Sequence, residues 1–186
     1  MNKKDLRVIK TKNTIYNALI VLMKEKTFEE IKVSDICNTA LINRSTFYTH
    51  YTDKYELLSE WINELKLSFT KELKINEENE NPKKYYLELI KIFLDHIDTK
   101  RDIYLSVMAN NRNSIMMDII YDVLDNDIIS HVQNDNNSKI PSKVIAKFYL
   151  GAVFNVGIEW LKYSNKYTKE DILHYLDLLI PDEINK

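Results

Sequence analysis

An all-α fold of about nine helices is what this 186-residue sequence predicts, on three observations. Apolar residues recur at helical spacing along nearly the whole chain. Two glycines and three prolines are too few for the tight turns of a many-stranded β protein. A composition of 45% hydrophobic and 29% charged residues suits a globular chain that buries a core without disulfides.

The elements follow in order. Ile15, Ala18, Leu19, Leu22 and Met23 form the apolar stripe of a first helix over about 9–26. Thr27 and Glu30 have capping-box spacing, but Ile31 and Val33 are poor helix formers, so 27–32 reads as a connection. A short helix over 33–40 turns Ile36, Cys37 and Ala40 inward. Asn43 is placed to cap a third helix from Arg44 to about Tyr51, and Asp53 a fourth, over 54–75. The polar run Asn76–Asn81 ends that helix, and Asn81-Pro82 opens another to about Thr99. Helices over 101–110 and 114–132 lead to the polar run 134–138. Ser142 caps an apolar helix to about Ser164, and Thr168 with Asp171 boxes a last helix that stops before Pro181.

The same composition excludes function classes. Gly151 and Gly157 stand alone, whereas a Rossmann fingerprint needs three clustered glycines and a P-loop two. No Ser, His and Asp set has a nucleophile-elbow context, so no catalytic residue is assigned and no enzyme is expected. His96, His131 and His174 fall on three different expected helices without a partner at metal-binding spacing, so no metal or cofactor is implied. The single Cys37 precludes an internal disulfide and fits a reducing cytoplasm; on the inner side of its helix it reads as a small packed hydrophobe. The charge-free stretches Asn13–Met23 and Phe148–Ile158 are shorter than the roughly 20 residues of a spanning helix, so no membrane segment is expected. The apolar segment behind the basic N-terminus lacks a small-residue cleavage site, so no signal peptide is expected.

Charge is divided unevenly. Residues 1–54 hold ten Lys/Arg against six Asp/Glu, a net +4, and the remainder sixteen against twenty-two, a net −6. A basic end on an acidic body suits a polyanion bound at one end, although solvation alone also produces charged surfaces.

Function concentrates in Lys32–Lys54. Two short helices joined by a brief turn, packed on the first helix, make the helix-turn-helix arrangement. In Arg44-Ser45-Thr46-Phe47-Tyr48-Thr49-His50-Tyr51 the spacing puts Phe47 and Tyr51 on one face and the other six residues outside. Short hydroxyls with one arginine, one tyrosine and one histidine offer donors at close range to phosphates and base edges. Taken alone, Tyr48 and His50 read first as ordinary surface residues, which only the surrounding motif reverses, and Arg44 reads also as a partner of Asp35 or Glu56.

Over about residues 8–62 the sequence resembles the tetracycline-repressor (TetR) family of bacterial transcriptional regulators. The likeness is carried by Val33-Ser34-Asp35-Ile36-Cys37, by Ile42-Asn43-Arg44-Ser45-Thr46-Phe47-Tyr48-Thr49-His50-Tyr51 and by Asp53-Lys54-Tyr55-Glu56-Leu57-Leu58. It implies a helix-turn-helix DNA-binding domain over 1–53 and a helical ligand-binding and dimerisation domain over 54–186, with helix 54–75 as connector. Thr46, Tyr48, His50 and Lys54 would bind phosphates, Arg44, Ser45 and Thr49 would face the major groove, and Ser34 and Asn43 complete the set. Phe47 and Tyr51 would be core. Leu41 departs from the family, which usually has glycine in that turn, and a leucine at positive φ costs on the order of 1 kcal/mol.

The partners this implies are a double-stranded, palindromic DNA operator, a second copy of the chain and a small-molecule effector that releases the DNA, all in the cytoplasm. Helix 142–164 and the last helix are the expected dimer surface, through Gly151, Phe154, Gly157, Ile158, Leu161, Ile172, Tyr175, Leu176 and Leu179. A core helix within one subunit fits the same pattern. Tyr86, Phe93, Tyr104, Met108, Met116, Met117, Tyr121 and Phe154 suit an adaptable apolar pocket, and core packing explains them equally. The alternative is a TetR-like co-activator that acts through a protein partner without an effector pocket.

Overall fold

The computed structural model describes residues 3–72, 82–132, 140–163 and 166–180. Among them are nine helices and no strand: α1 Lys3–Met23, α2 Val33–Thr39, α3 Arg44–Tyr48, α4 Lys54–Glu72, α5 Pro82–Thr99, α6 Arg101–Asn111, α7 Ile115–Val132, α8 Ser142–Lys162 and α9 Lys169–Leu179. The all-α expectation holds. Helix α1 starts about six residues earlier than its stripe suggests, because no Gly or Pro interrupts the basic N-terminal turn. The runs Asn76–Asn81 and 134–138, expected as loops, lie outside the described residues.

The chain divides into two compact units, one of Met1–Asn63 with Ser106–Ile120 and one of Glu64–Leu105 with Tyr121–Lys186. The division falls inside α4, the expected connector, and assigns the α6–α7 turn to the first unit.

In the first unit the α1 stripe of Ile15, Ala18, Leu19, Leu22 and Met23 is buried, as are Ile36, Cys37 and Ala40 of the α2 region, Phe47, Tyr51, Leu57, Leu58 and Ile62. Phe28 and Ile31, from the connection between α1 and α2, complete this core. Within that connection the carboxylate of Glu30 accepts from the Thr27 N–H (3.0 Å) and hydroxyl (2.9 Å), so capping-box chemistry closes a turn without a helix. Asp53 caps α4, accepting from the N–H groups of Tyr55 and Glu56 at 2.8 Å each.

In the second unit α5, α8 and α9 pack on one another. Their core is Ile90, Leu94 and Ile97 with Ile145, Ala146, Ile158, Trp160, Leu161, Ile172, Leu176 and Ile180. A Cβ on Gly157 would lie 3.1 Å from Phe93 Cε1, so only glycine lets α8 approach α5 this closely without a shift. The Thr168–Asp171 capping box forms as expected. Ser142 is the first helical residue of α8, with Pro141 in the capping position, one residue before the expected cap. By length and composition alone α8 is apolar enough to cross a membrane. A core helix of a soluble protein meets the same criterion, and α8 buries Ile145, Ala146, Ile158, Trp160 and Leu161 within the protomer.

Candidate nucleic-acid interface

The turn after α2 sets the site. The Ile42 N–H reaches back to the Cys37 carbonyl (3.0 Å) and the Leu41 N–H to the Asn38 carbonyl (3.2 Å), which is the double bond of a Schellman motif. Its pivot is Leu41 at φ 54°, a left-handed conformation that glycine adopts without strain. Leu41 is 91% exposed, so no packing offsets the strain. Leu41→Gly should therefore stabilise the protein by about 0.5–1 kcal/mol, the left-handed penalty of about 1–2 kcal/mol less the chain entropy of glycine. Denaturant unfolding checks this, and a less stable variant contradicts it.

Beyond the turn Asn43 is extended (φ −74°, ψ 151°) and occupies the capping position of α3, but its side chain makes no capping hydrogen bond. Phe47 is fully buried and anchors α3. Its ring lies 5.7 Å from that of Tyr51, and Tyr51 stands 6.2 Å from Tyr16 on α1. Behind Tyr51, Lys12 lies over the ring and pairs with Glu60. The inward half of the motif is therefore packed against α1.

Its outward half carries Arg44, Ser45, Tyr48 and Thr49, all exposed, with Thr46, His50 and Ser34 partly so. Arg44 makes no ion pair with a described residue. Lys26 donates to the Asp35 carboxylate at 2.8 Å, and that bond, with a second from the Lys32 N–H, keeps the carboxyl below its ordinary range. Glu56 accepts from the Thr52 N–H and hydroxyl, which lower its pKa. The Thr49 hydroxyl donates to the Ser45 carbonyl (2.8 Å), so toward a ligand it offers lone pairs. Burial raises the Cys37 thiol, in keeping with an inert packed side chain. Lys54 does not point its charge outward: its Nζ donates to the carbonyls of Phe28, Glu29 and Ile31, each at 2.8 Å.

The residues expected to line a pocket separate. Met108, Met116 and Met117 are buried in the first unit. In the second unit Phe154 gathers Phe93 (6.2 Å) and Tyr121 (6.1 Å). Tyr104 faces His96 (5.8 Å), whose other edge meets Phe69 (5.0 Å). Tyr86 lies on α5, half-buried. Burial, with Lys100 adding to it, pushes the His96 pKa down to about 4, and burial raises that of Tyr104. In the unfolded chain the imidazole titrates near 6.5, so between those values the unfolded state takes up the extra proton and stability falls as pH falls. The melting temperature of the wild type should accordingly drop more between pH 6.5 and 4.5 than that of His96→Gln. Parallel losses in both proteins would contradict the assignment.

The residues expected between subunits also separate. Gly157, Ile158, Leu161, Ile172 and Leu176 are buried within the protomer itself, and Phe154 packs beside Phe93. Gly151 has no neighbour within 4 Å of a Cβ position, and Tyr175 and Leu179 are exposed. With Gly151 on the outer face of α8 stand Val144, Phe148 (69% exposed), Ala152 and Asn155; with Tyr175 on that of α9 stand Leu178 (70%) and Leu179 (74%). Sequence reasoning could not choose the outer face of α8, since an almost wholly apolar helix gives no periodicity from which to read it. It also missed Asn111, a fully buried amide that bonds Phe28 and Met23, more than 80 residues away.

A helix-turn-helix followed in one chain by a helical body defines the class of single-chain transcriptional regulators. The chain belongs to the TetR family of these: the family described as "Transcriptional regulator C-terminal region" (TetR_C_8) matches residues 80–182. It is similar in structure to a TetR transcriptional regulator from Streptococcus agalactiae 2603V, with a TM-score of 0.61, 27% identity and 98% of each chain covered. It is 39% identical over 59 residues to the uncharacterized HTH-type transcriptional regulator YxbF of Bacillus subtilis (strain 168), which covers 31% of this chain and 16% of that protein. To the HTH-type dhaKLM operon transcriptional activator DhaS of Lactococcus lactis subsp. lactis (strain IL1403) it is 44% identical over 52 residues, 28% of this chain and 27% of the relative. The matches thus span about a sixth and about a quarter of the length of these two relatives.

Proposed function

We propose that this regulator is a repressor that binds a palindromic operator as a homodimer in the cytoplasm and is released by a small-molecule effector. The observation that carries the reading is the two-sided third helix. Phe47 fixes it from within, with Tyr51 just beyond its end, while Arg44, Ser45, Tyr48 and Thr49 stand in solvent, the arginine without a carboxylate partner among the described residues. Arg44, Ser45 and Thr49 would then meet base edges, and Thr46, Tyr48 and His50 phosphates, with Ser34 and Asn43 at the margins.

A single such head binds weakly, and pairing two heads on half-sites one helical turn apart multiplies the contact. The outward faces of α8 and α9 supply what a second copy needs, a cluster of large apolar side chains in water. For the effector, support is confined to the aromatic group of Phe93, Tyr121 and Phe154 with Tyr104 and His96 in the second unit, which suits an apolar, uncharged ligand. Such a ligand would act by preferring a dimer whose heads are wrongly spaced. Footprinting on the DNA upstream of the protein's own gene tests the reading. Two protected half-sites about 10 base pairs apart, or a multiple of that, are expected; protection without dyad symmetry, or none, counts against it.

A further inference from the structure

In the α1–α2 connection, residues 24–32, turn hydrogen bonds such as those of the Glu30 and Ile31 N–H groups satisfy part of the backbone, and the remaining groups need partners from elsewhere. They find side chains from distant parts of the first unit, Lys54 and Asn111 chief among them. From α4, Lys54 Nζ donates to three carbonyls at 2.8 Å, those of Phe28, Glu29 and Ile31. An ammonium has three hydrogens, and all are used. The rings of Phe28 (4.9 Å) and Tyr55 (5.4 Å) also receive the charge.

From the end of α6, the fully buried Asn111 accepts the Phe28 N–H at 2.7 Å and donates to the carbonyls of Met23 (2.9 Å) and Val107 (3.1 Å). Asn110 adds a bond to the Lys24 carbonyl (2.8 Å), and Glu29 accepts the Ile115 N–H (2.6 Å). Phe28 is thus gripped at its N–H by Asn111 and at its carbonyl by Lys54, with its ring fully buried. Helix α2 starts at Val33, five residues on, so whatever fixes Phe28 fixes how α2 and α3 leave α1.

We propose that Lys54 is a positioning residue for DNA binding and not a phosphate contact: with Asn111 it locks the α1–α2 connection and thereby aims the reading helix. The proposal rests on the DNA-binding reading above. To touch a phosphate the ammonium would have to surrender at least one carbonyl partner in a partly buried site, where desolvation already lowers its pKa against the pull of Glu29 and Asp35. Lys54 therefore contributes to affinity through the loop and not through counterion release.

The test compares wild type, Lys54→Met, Lys54→Arg and Asn111→Ala in two measurements, the melting temperature of the free protein and DNA affinity against salt. Lys54→Met is expected to melt lower by roughly 4 °C or more without any DNA present. It should also bind DNA more weakly with an unchanged slope of log affinity on log salt. Asn111→Ala should show the same pattern. Lys54→Arg keeps the charge, but its planar fork cannot direct hydrogens at three converging carbonyls, so a lower melting temperature and a roughly tenfold affinity loss are expected.

A phosphate contact behaves differently in each arm. Lys54→Met would leave the free protein's melting temperature unchanged and shrink the slope by about 0.9, and Lys54→Arg would bind like wild type. Any of these results overturns the proposal. The melting arm needs no DNA, so a wild type that melts as expected but ignores DNA marks the failure of the DNA-binding reading, and the aiming role falls with it.

Discussion

Replacing Leu178 and Leu179 together with lysine should give a monomer and lower operator affinity by about 10²–10⁴-fold, the factor that linking two weak sites supplies. The two leucines are 70% and 74% exposed in the protomer, beside Tyr175 on the same face of α9. Lysines there cost the isolated protomer little. Two unpaired charges inside an interface cost several kcal/mol, however, because desolvation is not repaid. Light scattering after size exclusion reads the assembly, and circular dichroism should show an unchanged fold. A dimeric double variant with wild-type affinity would move the interface elsewhere.

Arg44→Ala and Tyr48→Ala should separate reading from positioning. Arginine is suited to a bidentate grip on a guanine edge, worth about 1–3 kcal/mol of discrimination, so its removal should flatten preference at one base pair per half-site. Tyr48, 56% exposed on the same helix, carries a hydroxyl suited to a phosphate. Its truncation should weaken operator and random DNA alike. Affinities for the operator and for single-base variants measure both effects. Unchanged preference in Arg44→Ala, or a sequence-dependent loss in Tyr48→Ala, contradicts the division of roles.

Much of this architecture is legible in the sequence because its signals are local. Helical spacing of Ile15, Ala18, Leu19, Leu22 and Met23, the Asp53 cap and the Thr168–Asp171 box each act within a few residues, and each appears where expected. The strain at Leu41 was also foreseeable, since a Schellman turn demands positive φ whatever residue occupies it. The partners of Lys54 and Asn111 were not legible: they lie 23–26 and up to 88 positions away, and no periodicity links a side chain to a loop carbonyl at that distance. In α9 the spacing of Ile172 and Leu176 and that of Tyr175 and Leu179 both look like an interface. Only packing against α5 and α8 decides which pair is core.

The central claim is that the outer side of α3 lies on duplex DNA twice per assembly. Its most direct measurement is the affinity of the wild type for duplexes bearing two half-sites, one half-site or none, each over a range of salt. The account predicts strong preference for the paired sites and an affinity that falls steeply as salt rises, by about 0.9 in log units per phosphate contact for each tenfold increase. Equal binding to one and two half-sites, or no binding at low salt, would contradict it.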